Sequence, residues 1–255
     1  MNRIDKSQNV AAKLAGVSGL LAVMIVVFGN YALLRPLVIP GKAAETALNF
    51  PVHQTQVRIA LTCFLAYSMS VVVLLSALYV ILRPVDRLLA LIGALFRLVF
   101  ALLWLLTTLH LLGALRIVGN APYLQAFDEN HLQVLARLQI AVTFDDYYVG
   151  LPFFALAATI CSYLWFKSGY IPRSLAVFGL AASVWCVICA FVFLILPKFD
   201  KTVNAYWFDS PMALFELVVS LWLLFKGLKP REDNDVERMD ENLGKSLSLR
   251  LPIFL

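Results

Sequence analysis

Charge is scarce in this chain, and the scarcity excludes most water-soluble folds. Only 15% of the 255 residues are Asp, Glu, Lys or Arg, while 61% are hydrophobic. A soluble domain carries about a quarter charged residues. Motifs for common chemistries are missing too. There is no GxxxxGK[ST], no HExxH, no GxSxG and no dinucleotide fingerprint. No cofactor is expected, and no metal. Cysteine is sparse: Cys63, Cys161, Cys186 and Cys189 all fall in apolar segments and read as small core residues, not as a disulfide frame. Cys186 and Cys189 are spaced CxxC, but a buried apolar helix is a poor setting for redox or zinc chemistry. Basic residues outnumber acidic ones by 21 to 16, yet they scatter at the ends of apolar runs. No basic stripe with interleaved aromatics is present, so nucleic acid is not an expected partner. The apolar runs do not alternate with period two, which excludes a transmembrane β-barrel.

What the chain has instead is length of hydrophobic run. Six stretches are long enough to cross a hydrocarbon core of about 30 Å. They fall near 12–34, 58–82, 88–114, 142–166, 174–196 and 211–227. The expected fold is an all-α polytopic transmembrane bundle, multi-pass in the inner (cytoplasmic) membrane. The bilayer is its one sure partner. The first run lacks a clear small-residue cleavage site and reads as a retained helix. Lys and Arg are biased ten to five toward the side that carries the termini, which predicts both termini in the cytoplasm.

Local signals mark the boundaries. Ser210 is suited to cap the sixth span, with Pro211 as its first helical residue. Gly169 and Pro172 in "KSGYIPRS" break the chain between spans four and five. Pro152 interrupts the fourth span and removes the partner of the Tyr148 carbonyl. Two longer loops lie on the far side, 36–57 and 115–141. In the second, Asp128 is expected to cap a short amphipathic helix over 128–141, with Leu132, Leu135 and Leu138 on one face. Residues 1–228 are therefore read as the membrane domain. Residues 229–255, with "REDNDVERMDEN", read as an acidic, disordered cytoplasmic tail.

The stretch "ALFRLVFALLWLLTTLH" places Arg97 inside an apolar run. Counting about 1.5 Å per residue from the helix ends puts Arg97 about 13 Å deep and Glu216 about 15 Å deep. An unpaired charge there costs about 2.5–3.5 kcal/mol or more. The economical reading pairs Arg97 with Glu216, bringing span three against span six, with Gly93 and Ser220 allowing close approach. Tyr67, Ser70 and Ser183 fall in the same layer as candidate acceptors for the spare guanidinium donors. A second candidate site lies toward the far face: Asp145, Asp146, His110 and Arg58. Adjacent helical residues point about 100° apart, which argues against both carboxylates serving one ion. Tyr147 and Tyr148 read as interface anchors.

The segments "RPVDRLLALIGALFRLV", "LWFKSGYIPRSLAVFGLAASV", "FELVVSLWLLFKG" and "VIPGKAAETA" resemble the bacterial membrane family catalogued as domain of unknown function 4386. The likeness runs over about residues 10–228, with "SGYIPR" its most specific part. It implies a six- or seven-helix integral membrane protein and carries no catalytic residues across. Three readings of function stay open. One is a transporter-like or sensory/accessory component with a small-molecule or lipid ligand. The second is an intramembrane enzyme acting on a lipid or small apolar substrate at the outer face. The third is a structural interaction protein with an unknown protein partner.

Overall fold

In a computed structural model the chain folds into seven α-helices among the residues described, which are 4–39, 43–119, 124, 126–196, 199 and 205–229. No strand occurs among them. The expected tail 229–255 lies, beyond its first residue, outside the described residues. Helix α1 spans Lys6–Val27 and continues through a π-helical stretch, Phe28–Leu34, into a single 3₁₀ turn at Arg35–Leu37. A short helix, α2, covers Ala43–Val52. Then come α3 (Gln54–Leu82), α4 (Arg87–Val118), α5 (Glu129–Ser168), α6 (Arg173–Ile195) and α7 (Ala205–Phe225). Six segments are long and apolar enough to cross a membrane: α1 with its extension, and α3 to α7. An even number of crossings returns the ends of α1 and α7 to one face, here termed the terminal face.

Polar residues set the helix ends. Asp86 caps α4 by accepting from the Leu89 amide at 3.1 Å, and Asp128 caps α5 by accepting from Asn130 at 3.2 Å. The Gln8 side chain accepts the Asp5 amide at 3.1 Å and donates to the Ile81 carbonyl at 3.2 Å. One side chain thus caps α1 and ties it to α3. Gly169 ends α5 with φ +68°, a left-handed conformation that costs glycine little.

Three boundaries differ from the sequence expectation. Pro211 does not begin the last span; α7 starts at Ala205 and carries Pro211 inside it, so Ser210 is not a cap. Neighbouring groups in a membrane helix can satisfy the carbonyl that a proline frees. The amphipathic segment that Asp128 caps does not stop near 141 but runs on as α5, 40 residues without a break. The far loop 36–57 is largely helical, since it holds α2 and the start of α3.

The long helices pack in chain order around a closed ring. Each touches the next, α1–α3–α4–α5–α6–α7, and α7 returns to α1. Helices α4 and α7 sit three places apart, on opposite sides, and are not packed neighbours. Small residues bring α1 and α7 together where the ring closes. A side-chain carbon on Gly16 would stand 2.7 Å from the Leu224 amide nitrogen, and one on Gly19 would stand 2.2 Å from Ser220 Oγ. Close backbone approach of this kind drives helix association in lipid, where apolar burial gives little advantage. The outer surface is apolar: Leu88, Met69, Phe225 and Trp207 are well exposed. A water-soluble protein does not leave so continuous an apolar belt uncovered.

Candidate functional site

The ring encloses the Arg97–Glu216 ion pair. Arg97 Nη2 donates to Glu216 Oε1, and the two side chains are 6% and 18% exposed. Arg97 lies ten residues into α4 and Glu216 nine residues before the end of α7, so both are about 14–15 Å from the terminal face. The contact is made by reach, not by helix packing. Gly93 packs on Ile160 of α5, and Ser220 packs on Gly16 and Gly19 of α1. The expected role of those two small residues, bringing α4 against α7, is therefore corrected. Arginine and glutamate are long enough to span the interior between opposite helices.

The guanidinium also rests over the Phe154 ring of α5, 5.3 Å from its centroid. Its Nε is buried and has no hydrogen-bond partner. The expected acceptors do not supply one. Ser70 Oγ turns back to the Ala66 carbonyl at 2.9 Å, and Ser183 Oγ to the Leu180 carbonyl at 3.1 Å. Helical serines commonly bond their own preceding turn in this way. Tyr67 is buried and packs edge-on against Trp104, 5.0 Å between centroids, within electrostatic reach of both ions. Two small cavities adjoin Arg97. One lies in the ring interior and is also lined by Glu216, Trp165 and Phe215. The other opens between α3 and α4. Leu78, Arg97 and Cys161 line both.

Toward the far face the structure separates the four grouped residues. His110 Nδ1 meets Asp146 Oδ2 at 2.8 Å, and Thr107 Oγ1 donates to the same oxygen at 3.2 Å. Asp146 is buried, whereas its neighbour Asp145 is exposed. Arg58 is exposed on α3 and forms no ion pair with either aspartate. The rotation of about 100° between successive helical residues explains the split. Among the described residues no group of three His, Cys, Asp or Glu side chains is placed to hold a metal ion.

One polar contact was not anticipated. Tyr147 does not serve as a surface anchor; its hydroxyl donates to Asp209 Oδ2 at 3.0 Å, joining α5 to α7. The sequence held a signal for it. Asp209 precedes Glu216 by seven residues, two helical turns, and so shares its face. The carboxyl and guanidinium groups bonded in the interior, Arg97, Asp146, Asp209 and Glu216, thus come from α4, α5 and α7.

Six lipid-length apolar helices closed around an internal ion pair define an integral, multi-pass membrane protein. The chain belongs to the family described as Domain of unknown function (DUF4386), whose model matches residues 14–227. No curated protein and no solved structure matches it.

Proposed function

We propose that this protein is a transporter-like membrane component whose conducting or sensing interior is held shut by the Arg97–Glu216 pair. The observation that carries this reading is that the pair joins opposite members of the ring beside a cavity. A pair that only fixed register would serve as well between adjacent helices. One that bridges the interior blocks it when formed and opens it when broken. Intramembrane ionisable residues that face a cavity commonly mark a ligand or ion path. In this reading the protein sits in the inner membrane with both termini cytoplasmic, supported by the Lys and Arg bias.

Cys161 provides the test, because it lines both cavities. With Cys63, Cys186 and Cys189 replaced by Ala, a membrane-impermeant methanethiosulfonate is added to either side of reconstituted vesicles. The expected result is slow, one-sided modification of Cys161 that accelerates in Arg97→Gln/Glu216→Gln. A Cys161 inert from both sides in both proteins would refute the reading and favour a structural bundle.

A second reading, an enzyme acting on a lipid or small apolar molecule near the far face, rests on the contact between His110 and Asp146. A carboxylate on one imidazole nitrogen orients the ring and leaves the other nitrogen to act as a base. The His110 side chain is 29% exposed. Hydrolysis of a fluorogenic ester presented in micelles, lost in His110→Ala, supports this reading; no hydrolysis by the parent protein refutes it.

A further inference from the structure

The cavity inside the ring lies on the terminal-face side of the ion pair. Arg97 and Glu216 stand at its deep end, about 15 Å from that face by helical rise. Trp165 and Leu223, about 5 Å or less from it, are the lining residues nearest the face. Beyond the pair, Phe208 and Met212 of α7 are fully buried in an apolar cluster. The cavity leaves about 30 Å³ for the centres of water molecules, room for about two. Its walls are mostly apolar, Leu74, Leu78 and Val219 among them. Its strongly polar groups come from Arg97, Glu216 and Ser220.

The two ions have opposite and unmet needs. A guanidinium carries five N–H donors. Nη2 of Arg97 donates to Glu216 Oε1, while Nε is buried with no acceptor on the protein. A donor left unpaired in a dry interior costs free energy that an acceptor recovers. Glu216 brings two carboxylate oxygens, which accept only.

We propose that this cavity binds a pair of water molecules that join Arg97 Nε to the Glu216 carboxylate beside their direct bond. Water suits both ions, since it accepts from one and donates to the other. A cation there would be repelled by Arg97 and an anion by Glu216. A buried water needs two to four hydrogen bonds, and the Ser220 hydroxyl adds a further partner. The cavity between α3 and α4 has room for about one water, but no carboxylate lines it. Hydration from one side also lowers the desolvation cost of holding two charges at this depth. The inference goes beyond the transport reading and does not depend on it, because the same ions need the same partners in a closed structural bundle.

Radiolytic labelling tests the proposal. The full chain in phosphatidylcholine nanodiscs is equilibrated in water enriched in oxygen-18 and given a short X-ray pulse. The pulse splits water into hydroxyl radicals, which oxidise the side chains beside it, and the heavy oxygen is mapped by mass spectrometry. Trp165 and Phe215 line the cavity and are 2% and 4% exposed. Both are expected to take up label, while Phe50 and Phe64, equally buried elsewhere, are not. Ala158→Leu fills the cavity and leaves both ions in place. It should remove most of the label from Trp165 and Phe215 and none from the exposed His131. Val219→Leu replaces it if Ala158→Leu fails to elute as a single species. Arg97→Leu/Glu216→Leu should also lose the label, because a cavity lined by apolar groups stays dry. Trp165 and Phe215 labelled no more than Phe50 and Phe64, a filled variant labelled like the parent, or label that persists without the ions would each overturn the proposal. Failure of the transport reading looks different: Cys161 stays inert to the thiol reagent while Trp165 and Phe215 are labelled.

Discussion

Arg97 and Glu216 bond to each other from helices that are not neighbours in the ring. Each side chain is the other's means of being charged inside the bundle. Arg97→Leu alone should leave Glu216 buried without a cation and cost roughly 3–5 kcal/mol, the penalty for breaking a buried pair. Arg97→Leu/Glu216→Leu should recover much of that loss. Thermal unfolding of the three variants and the parent in one detergent completes the cycle; a double variant no more stable than the sum of the singles contradicts the pairing.

The two adjacent aspartates of α5 should behave differently. Asp146 is buried and bonded to His110 and Thr107, so Asp146→Ala should destabilise by about 1–3 kcal/mol. Asp145 is exposed, and Asp145→Ala should stay within about 0.5 kcal/mol of the parent. Equal effects in a melting assay would mean that the helix is rotated from the orientation described.

Tyr147→Phe removes one oxygen atom and leaves Asp209 without its α5 donor. The expected loss is about 1–3 kcal/mol, the cost of leaving a buried hydrogen-bonding group without its partner. Tyr147→Phe combined with Asp209→Leu should lose less than the two single changes added together. A tyrosine that only anchors the helix at the membrane surface would show no such coupling.

Two glycines offer a packing test. A methyl group on Gly16 would meet backbone atoms of α7 at 2.7–2.9 Å, which cannot move without parting the helices. Gly16→Ala should therefore destabilise by about 1–3 kcal/mol. On Gly113 the nearest atoms belong to the flexible Gln139 side chain, at 3.4 Å or more. Gly113→Ala should be neutral or stabilise by up to about 1 kcal/mol through helix propensity.

Metal removal makes a final check. With no three-ligand group among the described residues, chelator should leave the melting temperature unchanged. A clear drop would contradict this expectation.

The layout of the fold was largely legible in the sequence, and the details were not. Runs of apolar residues announce membrane crossings directly, because lipid rewards length and hydrophobicity whatever the neighbours are. Helix ends are less plain. Pro211 reads as a start by local rules, yet α7 extends past it. The depth of Arg97 and of Glu216 came from counting along each helix, and a common depth made them partners. Asp209 was missed because it sits near the end of its span, where a carboxylate normally meets water.

Composition and run length determined by themselves that this protein is a membrane-spanning helical bundle and that Arg97 needs an anion. Only the tertiary structure decided that the ring closes α7 onto α1, that the ion pair bridges its interior, and that Asp146 but not Asp145 turns inward. The physical reason is range. Hydrophobic length and helical rise are properties of one segment. Which helices adjoin depends on small residues such as Gly16 and Ser220, whose fit exists only once two segments meet.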